Sequence, residues 1–329
     1  MRILVVRAGA LGDTLMATPV VRALSERHPE AAIDFLCSEA AAPLVELHPA
    51  IDRTFTLRLR NLPYALSLEK HRLASALKAR RYDFAVLLER APRYRMLVER
   101  AGVTDIRSFD ETPFDPAQHA IQNNLAAAGV SGTTDMDLHV SGSDDHDALE
   151  LLAELPRPRV GLHPGYGPRG KKRDQSARLK GWPRSHFASL AQKLGSDGVG
   201  VVVTGSTEDR SDASFIVGQT SATDLSGRTS VRQLAAVIRN LDLFISVDSG
   251  PAHMAAAVGT PLVVLWGPAI VEQVRPLSSR APVRVLRHPV PCAPCYDTPL
   301  MKTCRRNICM EGITPDQVYA AARLELAHD

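Results

Sequence analysis

Short runs of aliphatic and β-branched residues recur along the chain. Each is followed by a glycine-containing turn and a stretch with helical periodicity, and this alternation restricts the fold to the parallel α/β class. The first run is Ile3 to Val6, with a turn and then a helix expected from about Thr14 to Glu26. Ala32 to Cys37 and Phe84 to Leu88 read as further strands, and Leu66 to Ala79 between them reads as helical. Together they describe one doubly wound half.

The rhythm then restarts. Composition turns acidic after Ser141 and passes through Leu-Pro-Arg-Pro-Arg into a new strand at Val160-Gly161-Leu162-His163. Gly198 to Thr204, Leu243 to Val247 and Leu262 to Trp266 supply further buried strands. A chain of 329 residues exceeds what one hydrophobic core comfortably organises, so two Rossmann-like domains are expected, at 1–155 and 156–312. A final helix at 313–329 is expected to pack back toward the first domain. Its start is marked by Thr314 as N-cap, Pro315 at the first helical position and Gln317 completing a capping box.

Bulk properties exclude several classes. Hydrophobic residues at 45% and charged residues at 23% fit a soluble globular protein and argue against long disorder. The apolar run at the N-terminus is too short for a signal-peptide core, and no apolar stretch approaches the roughly 20 residues that span a bilayer. The cytoplasm is the expected compartment, with any contact with the inner membrane peripheral. The net charge of +3 does not call for a nucleic-acid partner. Between Arg169 and Lys180, however, RGKKRDQSARLK carries six cations and one acid, which suits either a solvated loop or an anionic ligand.

Four segments could carry chemistry. Arg7-Ala8-Gly9-Ala10-Leu11-Gly12-Asp13 lies between the first strand and its helix, where ligands bind in an open parallel sheet. Gly9 and Gly12 shape that turn, and Asp13 is either a helix-start residue or a carboxylate able to act as general base toward a hydroxyl. A dinucleotide-binding fingerprint with Asp34 as its acid competes, but Arg7 stands where that fingerprint needs glycine. In the second half, Asp248-Ser249-Gly250-Pro251-Ala252-His253 follows a strand and opens a helix whose amides suit a diphosphate. A Ser-His-Asp hydrolase reading fails because those residues lie too close along one turn. His163-Pro164-Gly165 and Lys180-Gly181-Trp182-Pro183 form the third segment, with Lys180 able to stabilise a departing phosphate. The fourth is Thr204-Gly205-Ser206-Thr207-Glu208, where Glu208 could accept hydrogen bonds from a ribose.

Taken in order, GALGDTLMATPV, HPG, KGWP, TGSTEDR, SVDSGPAHMAAAVGTPLVVLWGP and the terminal ITPDQV resemble the ADP-heptose:lipopolysaccharide heptosyltransferase family, glycosyltransferase family 9. The resemblance implies a GT-B fold, two Rossmann-like parallel-sheet domains facing a central cleft. It implies an inverting, metal-independent glycosyltransferase that moves a heptose from an ADP-sugar to a glycan or glycolipid hydroxyl. By the family pattern Asp13 is the general base and Lys180 the phosphate-binding lysine. Gly165, Glu208, Asp248, Ser249, Gly250 and His253 match the donor site, and the acceptor lies with the first domain, where Gly12 shapes the turn. Apart from the family pattern, Arg90, Arg93 and Arg95 follow the Phe84 to Leu88 strand and either grip an anionic lipid-linked sugar or are exposed arginines on a helix face. No cofactor is implied beyond the nucleotide-sugar donor. The chain departs from the pattern in the length between Tyr166 and Lys180, which opens the phosphate role to Lys171 or Lys172. An oxidoreductase, a sugar-nucleotide epimerase or hydrolase, and a non-catalytic nucleotide-sugar-binding protein are the competing classes.

Five cysteines remain. Cys37 sits in a strand and reads as an apolar core residue. Cys292, Cys295, Cys304 and Cys309 have the spacing C-x2-C-x8-C-x4-C, which could hold a structural zinc. The outer spacing is not a common zinc-ribbon arrangement, and catalysis is not expected to need a metal.

Overall fold

The computed structural model describes residues 1–58, 62–166, 178–296 and 298–327. They form two compact units, Met1–His139 and Val140–Asp329.

The first unit is a five-stranded parallel sheet of β1 (Arg2–Arg7), β2 (Ala32–Ser38), β3 (Ile51–Leu57), β4 (Phe84–Leu87) and β5 (Ile106–Ser108). Spatial order is β3-β2-β1-β4-β5. The chain therefore winds outward from β1 in one direction and restarts at β4 on its other side. Leu4, Val6, Leu36, Ala85 and Leu87 bury one face of the sheet beneath Leu73 and Leu77 of helix Leu68–Arg80 and Leu97 and Val98 of helix Pro92–Arg100. Each such fully buried aliphatic side chain stabilises the fold by roughly 1.5–3 kcal/mol.

The second unit repeats the plan with six parallel strands: β6 (Arg159–His163), β7 (Gly200–Val203), β8 (Thr223–Asp224), β9 (Leu243–Val247), β10 (Leu262–Trp266) and β11 (Val283–Arg287). Their order is β11-β10-β9-β6-β7-β8, so the winding reverses between β6 and β9. Val160, Leu162, Val201, Val203, Ile245 and Val263 lie in one core with Phe187, Leu190 and Leu194 of helix Arg184–Ser196.

Several boundaries differ from the sequence reading. The helix expected from Thr14 to Glu26 is two helices, Leu11–Leu15 and Thr18–Arg27, because Pro19 in the first turn of the second cannot continue a hydrogen-bond ladder. The units divide between His139 and Val140, earlier than the composition change suggests. Helix Gly142–Leu151 packs with helix Val231–Arg239 of the second unit, through an Asp144–Arg232 pair at 2.7 Å and a Gln233–Asp147 hydrogen bond at 3.0 Å. The acidic run that looks like a linker is thus a polar docking face. The terminal helix, Pro315–Leu326, has the expected capping box. Its apolar face, Val318, Ala321 and Ala322, lies in the core of the second unit, where the sequence reading sends it toward the first. Lys193 pairs with Asp316 at 2.9 Å, and the Trp182 indole N–H donates to Ile313 O at 2.8 Å. Among the described residues no helix is long and apolar enough to cross a membrane.

Candidate functional site

In open parallel sheets ligands bind beyond the carboxyl ends of the strands, at the point where the winding reverses. Each unit has one such point, and the sequence motifs gather there.

In the first unit the reversal lies between β1 and β4. β1 ends at Arg7, and the short helix that follows carries Asp13 in its first turn. The Arg7 guanidinium reaches both sides of the reversal: it pairs with Asp13 Oδ1 at 2.8 Å and donates to Leu88 O just after β4. Asp13 Oδ2 accepts from the Ala10 N–H at 3.0 Å, so the carboxylate is held in one orientation while 36% of its side-chain surface stays accessible. Gly9 is required here, since a Cβ at that position would lie 2.6 Å from both Asp13 Cβ and Oδ2. Gly12 is buried within the same turn.

Arg93 and Arg95 lie on helix Pro92–Arg100, beyond the end of β4. Arg93 stacks on Tyr94, with its guanidinium carbon 4.9 Å from the ring centroid. Arg95 is engaged by Glu111 at 2.7 Å, Asp110 at 3.0 Å and Ser108 Oγ at 3.1 Å. The Glu111 hydrogen bond leads the effects that raise the Arg95 pKa.

In the second unit the reversal lies between β6 and β9, and the Lys180 and Asp248-Ser249-Gly250 motifs meet there. Asp248 is buried in the turn after β9 and pairs with Lys180 Nζ at 2.6 Å. Ser249 caps helix Gly250–Val258 by position only: its Oγ pairs with Ser246 Oγ at 2.9 Å, and the helix start has no side-chain cap. First-turn amides without such a cap, beside a lysine, suit a diphosphate. His253 is buried one turn into that helix.

Lys180 is fixed from below. Leu179 packs with Cys295 and Met301, Asn307 Nδ2 donates to Gly181 O at 3.0 Å, and Trp182 meets Phe187 edge-on at 4.7 Å. Tyr296 completes the setting, its ring centroid 4.6 Å from Lys180 Nζ. Neither Tyr296 nor Asn307 carries a sequence signal, because each is more than a hundred residues from the lysine it serves.

At the end of β6, Gly165 closes over a polar pair. A Cβ there would lie 2.7 Å from Asp209 Oδ2 and 2.9 Å from His163 Nε2, so no larger residue fits without displacement. Asp209 Oδ2 accepts from Ser206 N at 2.8 Å and Ser206 Oγ at 2.7 Å, which fixes the turn that presents Glu208 to solvent. His163 Nδ1 and Thr204 Oγ1 lie 2.9 Å apart. Burial pushes the His163 pKa down to about 4, against the raising effect of Asp209. Asp209 was not singled out in the sequence, where it reads as an ordinary residue beside Glu208.

Asp34, the acid of the dinucleotide fingerprint, is fully buried and consumed inside the first unit. It accepts from Arg80 Nε at 2.7 Å, Arg80 Nη2 at 2.9 Å and the Tyr82 hydroxyl at 2.6 Å. A ribose contact is not open to it. The basic-loop candidates Arg169, Lys171 and Lys172 lie outside the described residues. Cys295 is buried, Cys304 and Cys309 are partly buried and Cys292 is exposed. Burial, reinforced by the other three thiols, raises the Cys309 pKa to about 11. Cys304 Sγ donates to Arg306 O at 3.2 Å and Cys309 Sγ to Asn307 Oδ1 at 3.3 Å. Among the described residues no three His, Cys, Asp or Glu side chains are arranged to hold a metal.

Known proteins share this architecture and sequence. The chain is 28% identical over 322 residues to lipopolysaccharide heptosyltransferase 2 of Escherichia coli, covering 87% of this chain and 88% of the relative. It is 25% identical to lipopolysaccharide heptosyltransferase 1 of Pseudomonas aeruginosa, covering 92% and 87%. The structure of E. coli ADP-heptose lipopolysaccharide heptosyltransferase II superposes with a TM-score of 0.79 at 24% identity, covering 99% of both chains. A family 9 glycosyltransferase from Veillonella parvula gives 0.81 at 23% identity, covering 100% and 97%. These likenesses show that the two parallel-sheet units have the GT-B fold. Residues 70–304 match the family model described as glycosyltransferase family 9 (heptosyltransferase), and with that match across most of its length the chain belongs to glycosyltransferase family 9.

Proposed function

We propose that this glycosyltransferase moves a heptose from ADP-heptose to a hydroxyl of an anionic lipopolysaccharide-type acceptor, with inversion at the sugar carbon. One observation carries the reading. At the reversal point of the second sheet, Lys180 and a helix start without a side-chain cap stand together where a diphosphate can be bound.

In the reaction the bond between the heptose anomeric carbon and the diphosphate oxygen breaks, and a bond from that carbon to the acceptor oxygen forms. The acceptor proton passes to Asp13, and ADP leaves with the electron pair. Arg7 and the Ala10 amide orient Asp13 for this step. Lys180 and the backbone amides around Ser249 and Gly250 stabilise the charge that builds on the departing diphosphate, so the proposed chemistry calls on no divalent metal. Asp248 orients Lys180, and Gly165, Glu208 and His253 complete the donor site. Gly12 shapes the acceptor-side turn. The proposed place of action is the cytoplasm, with peripheral contact at the inner membrane.

The test is a panel of nucleotides and nucleotide sugars in thermal shift, followed by transfer assays with and without EDTA. ADP, and more strongly ADP-heptose, is expected to raise the melting temperature, and transfer is expected to survive chelation. Equal or larger shifts with UDP-sugars overturn the donor assignment, and loss of transfer in EDTA restored by magnesium overturns the charge assignment.

A further inference from the structure

Cys292, Cys295, Cys304 and Cys309 have no role in the proposed transfer, yet the supports of Lys180 run through them. Lys180 stands between Leu179 and Gly181, and both flanks are tied to these thiols. Leu179 clusters with Cys295 and Met301, and Cys304 packs against the same group. Gly181 O accepts from Asn307 Nδ2 at 3.0 Å, and Asn307 Oδ1 accepts in turn from Cys309 Sγ at 3.3 Å. Cys295 also precedes Tyr296, whose ring centroid lies 4.6 Å from Lys180 Nζ. The N–H groups of Cys295 and Tyr296 both donate to Pro268 O, at 2.9 and 3.0 Å. Two supports of the lysine, the Leu179 contact and the Tyr296 ring, therefore meet at one residue, Cys295.

Exposure separates a thiol that reagents reach from one they do not. Cys292 is exposed, whereas Cys295 is 7% exposed. Cys304 and Cys309 are partly buried, with their S–H groups donating to Arg306 O and Asn307 Oδ1. Burial leads the effects that raise the Cys295 pKa, and the Cys292 and Cys304 thiols add to it. Cys295 thus stays a protonated apolar contact until a partner sulfur is brought to it. Only Ala293 and Pro294 separate it from Cys292, the C-x-x-C spacing of reversible dithiols. Both are free thiols in the structure. Bonding brings their sulfurs to about 2.05 Å from at least a van der Waals contact of roughly 3.5 Å, and a close-packed interior passes such a shift to its neighbours, here Leu179 and Tyr296.

We propose that Cys292 and Cys295 are a redox-sensitive pair: a low-molecular-weight disulfide of the glutathione type oxidises them to a disulfide, which displaces the supports of Lys180 and weakens its hold on the donor diphosphate. The inference rests on the proposed donor site, in which Lys180 contacts the diphosphate, and adds a control over it. Cys292, as the thiolate, attacks one sulfur of the reagent; the reagent's S–S bond breaks and one thiolate leaves with the electron pair. Cys295 then loses its proton to water and attacks Cys292 Sγ, and the second thiolate leaves. Two protein thiols are oxidised, one small disulfide is reduced, and the two protons end on the released thiols. In a reducing compartment such a bond is transient, as a sensor requires.

The experiment treats full-length wild type and Cys292→Ser with oxidised glutathione or with dithiothreitol. Peptide mapping by mass spectrometry locates the disulfide, the acetylation rate of Lys180 reads how firmly its amine is held, and isothermal titration reads ADP affinity. Oxidised wild type should show the Cys292–Cys295 disulfide, faster labelling of Lys180 and ADP bound about 10-fold more weakly, as expected when a charge-assisted contact is partly lost. Dithiothreitol should reverse all three, and Cys292→Ser should match reduced wild type under both treatments. Absence of that disulfide, or a disulfide that leaves Lys180 labelling or ADP affinity unchanged, overturns the switch. An equal response in Cys292→Ser overturns it too, as do thiols protected from oxidation by a zinc ion found on elemental analysis. If reduced wild type binds no ADP, the donor reading falls instead, and the disulfide together with Lys180 labelling decides the switch.

Discussion

Acidification should destabilise the second unit through one side chain, His163. Its imidazole is buried at the end of β6, with Nδ1 held at 2.9 Å from Thr204 Oγ1. Burial lowers its pKa from 6.5 to about 4, and the nearby Asp209 carboxylate only partly opposes this. In the window between those values the unfolded chain takes up a proton that the folded chain refuses. The stabilisation is therefore fully present above about pH 6.5 and is lost as the pH falls toward about 4. At 1.36 kcal/mol per unit the full effect is about 3 kcal/mol, a large share of what holds a domain folded.

His163→Asn removes the titration while keeping a polar atom near the Nδ1 position. Both tryptophans of the chain, Trp182 and Trp266, belong to the second unit, so urea unfolding followed by tryptophan fluorescence reports that unit alone. The variant should be less stable than wild type near neutrality, and the gap should shrink by about 3 kcal/mol as the pH falls from about 7 to about 4. Parallel pH curves for the two proteins would show that His163 is not held neutral by burial.

Three other substitutions have separable signatures. Asp13→Asn keeps shape but cannot take the acceptor proton; turnover should fall by about 10²- to 10⁴-fold with ADP-heptose affinity retained, and near-normal turnover in a folded variant would reduce Asp13 to a helix-start residue. Lys180→Ala should weaken ADP binding as well as the rate, because a charge contact to diphosphate acts in the ground state too; isothermal titration with ADP checks it, and unchanged affinity would refute the role. Asp34→Asn should cost the first unit about 3 kcal/mol by leaving Arg80 and Tyr82 with a weakened buried partner. Circular dichroism during urea unfolding reads that change, and wild-type stability would show the network to be dispensable.

What the sequence discloses depends on whether the determining contacts are local. β9 and β10 coincide with the runs Leu243 to Val247 and Leu262 to Trp266 because strands buried on both faces read as unbroken apolar stretches. β3 and β11 were not expected: they are sheet edges, and half-exposed sequences such as IDRTFTL and VRVLR break that pattern. β5 and β8 have three and two residues, too few to leave a periodicity. The capping box at Thr314 was legible since its partners are three residues apart. The destination of that helix was not, because packing against Phe187 and Leu190 is a long-range choice among several apolar faces.

The same division runs through the site. Asp248 and Ser249 come directly after β9 and Asp13 lies in the short helix that follows β1, and in a doubly wound sheet such positions lie toward the ligand edge, which is why the sequence alone singles them out as candidates. Ranking the arginines after β4 was not possible on that ground: Arg90, Arg93 and Arg95 have equal charge and nearly equal position along the chain. What separates them is where counter-charge lies. Arg95 meets Asp110 and Glu111, which follow β5, while Arg90 meets Phe109 and Phe114 from the same segment. Opposite charges within reach satisfy a guanidinium, whereas aromatic faces orient it and leave its N–H groups open. A loop that places two acids under one arginine and two rings under another therefore decides which guanidinium is charge-paired, and the place of that loop is set by the pairing of β4 with β5, not by the basic cluster itself.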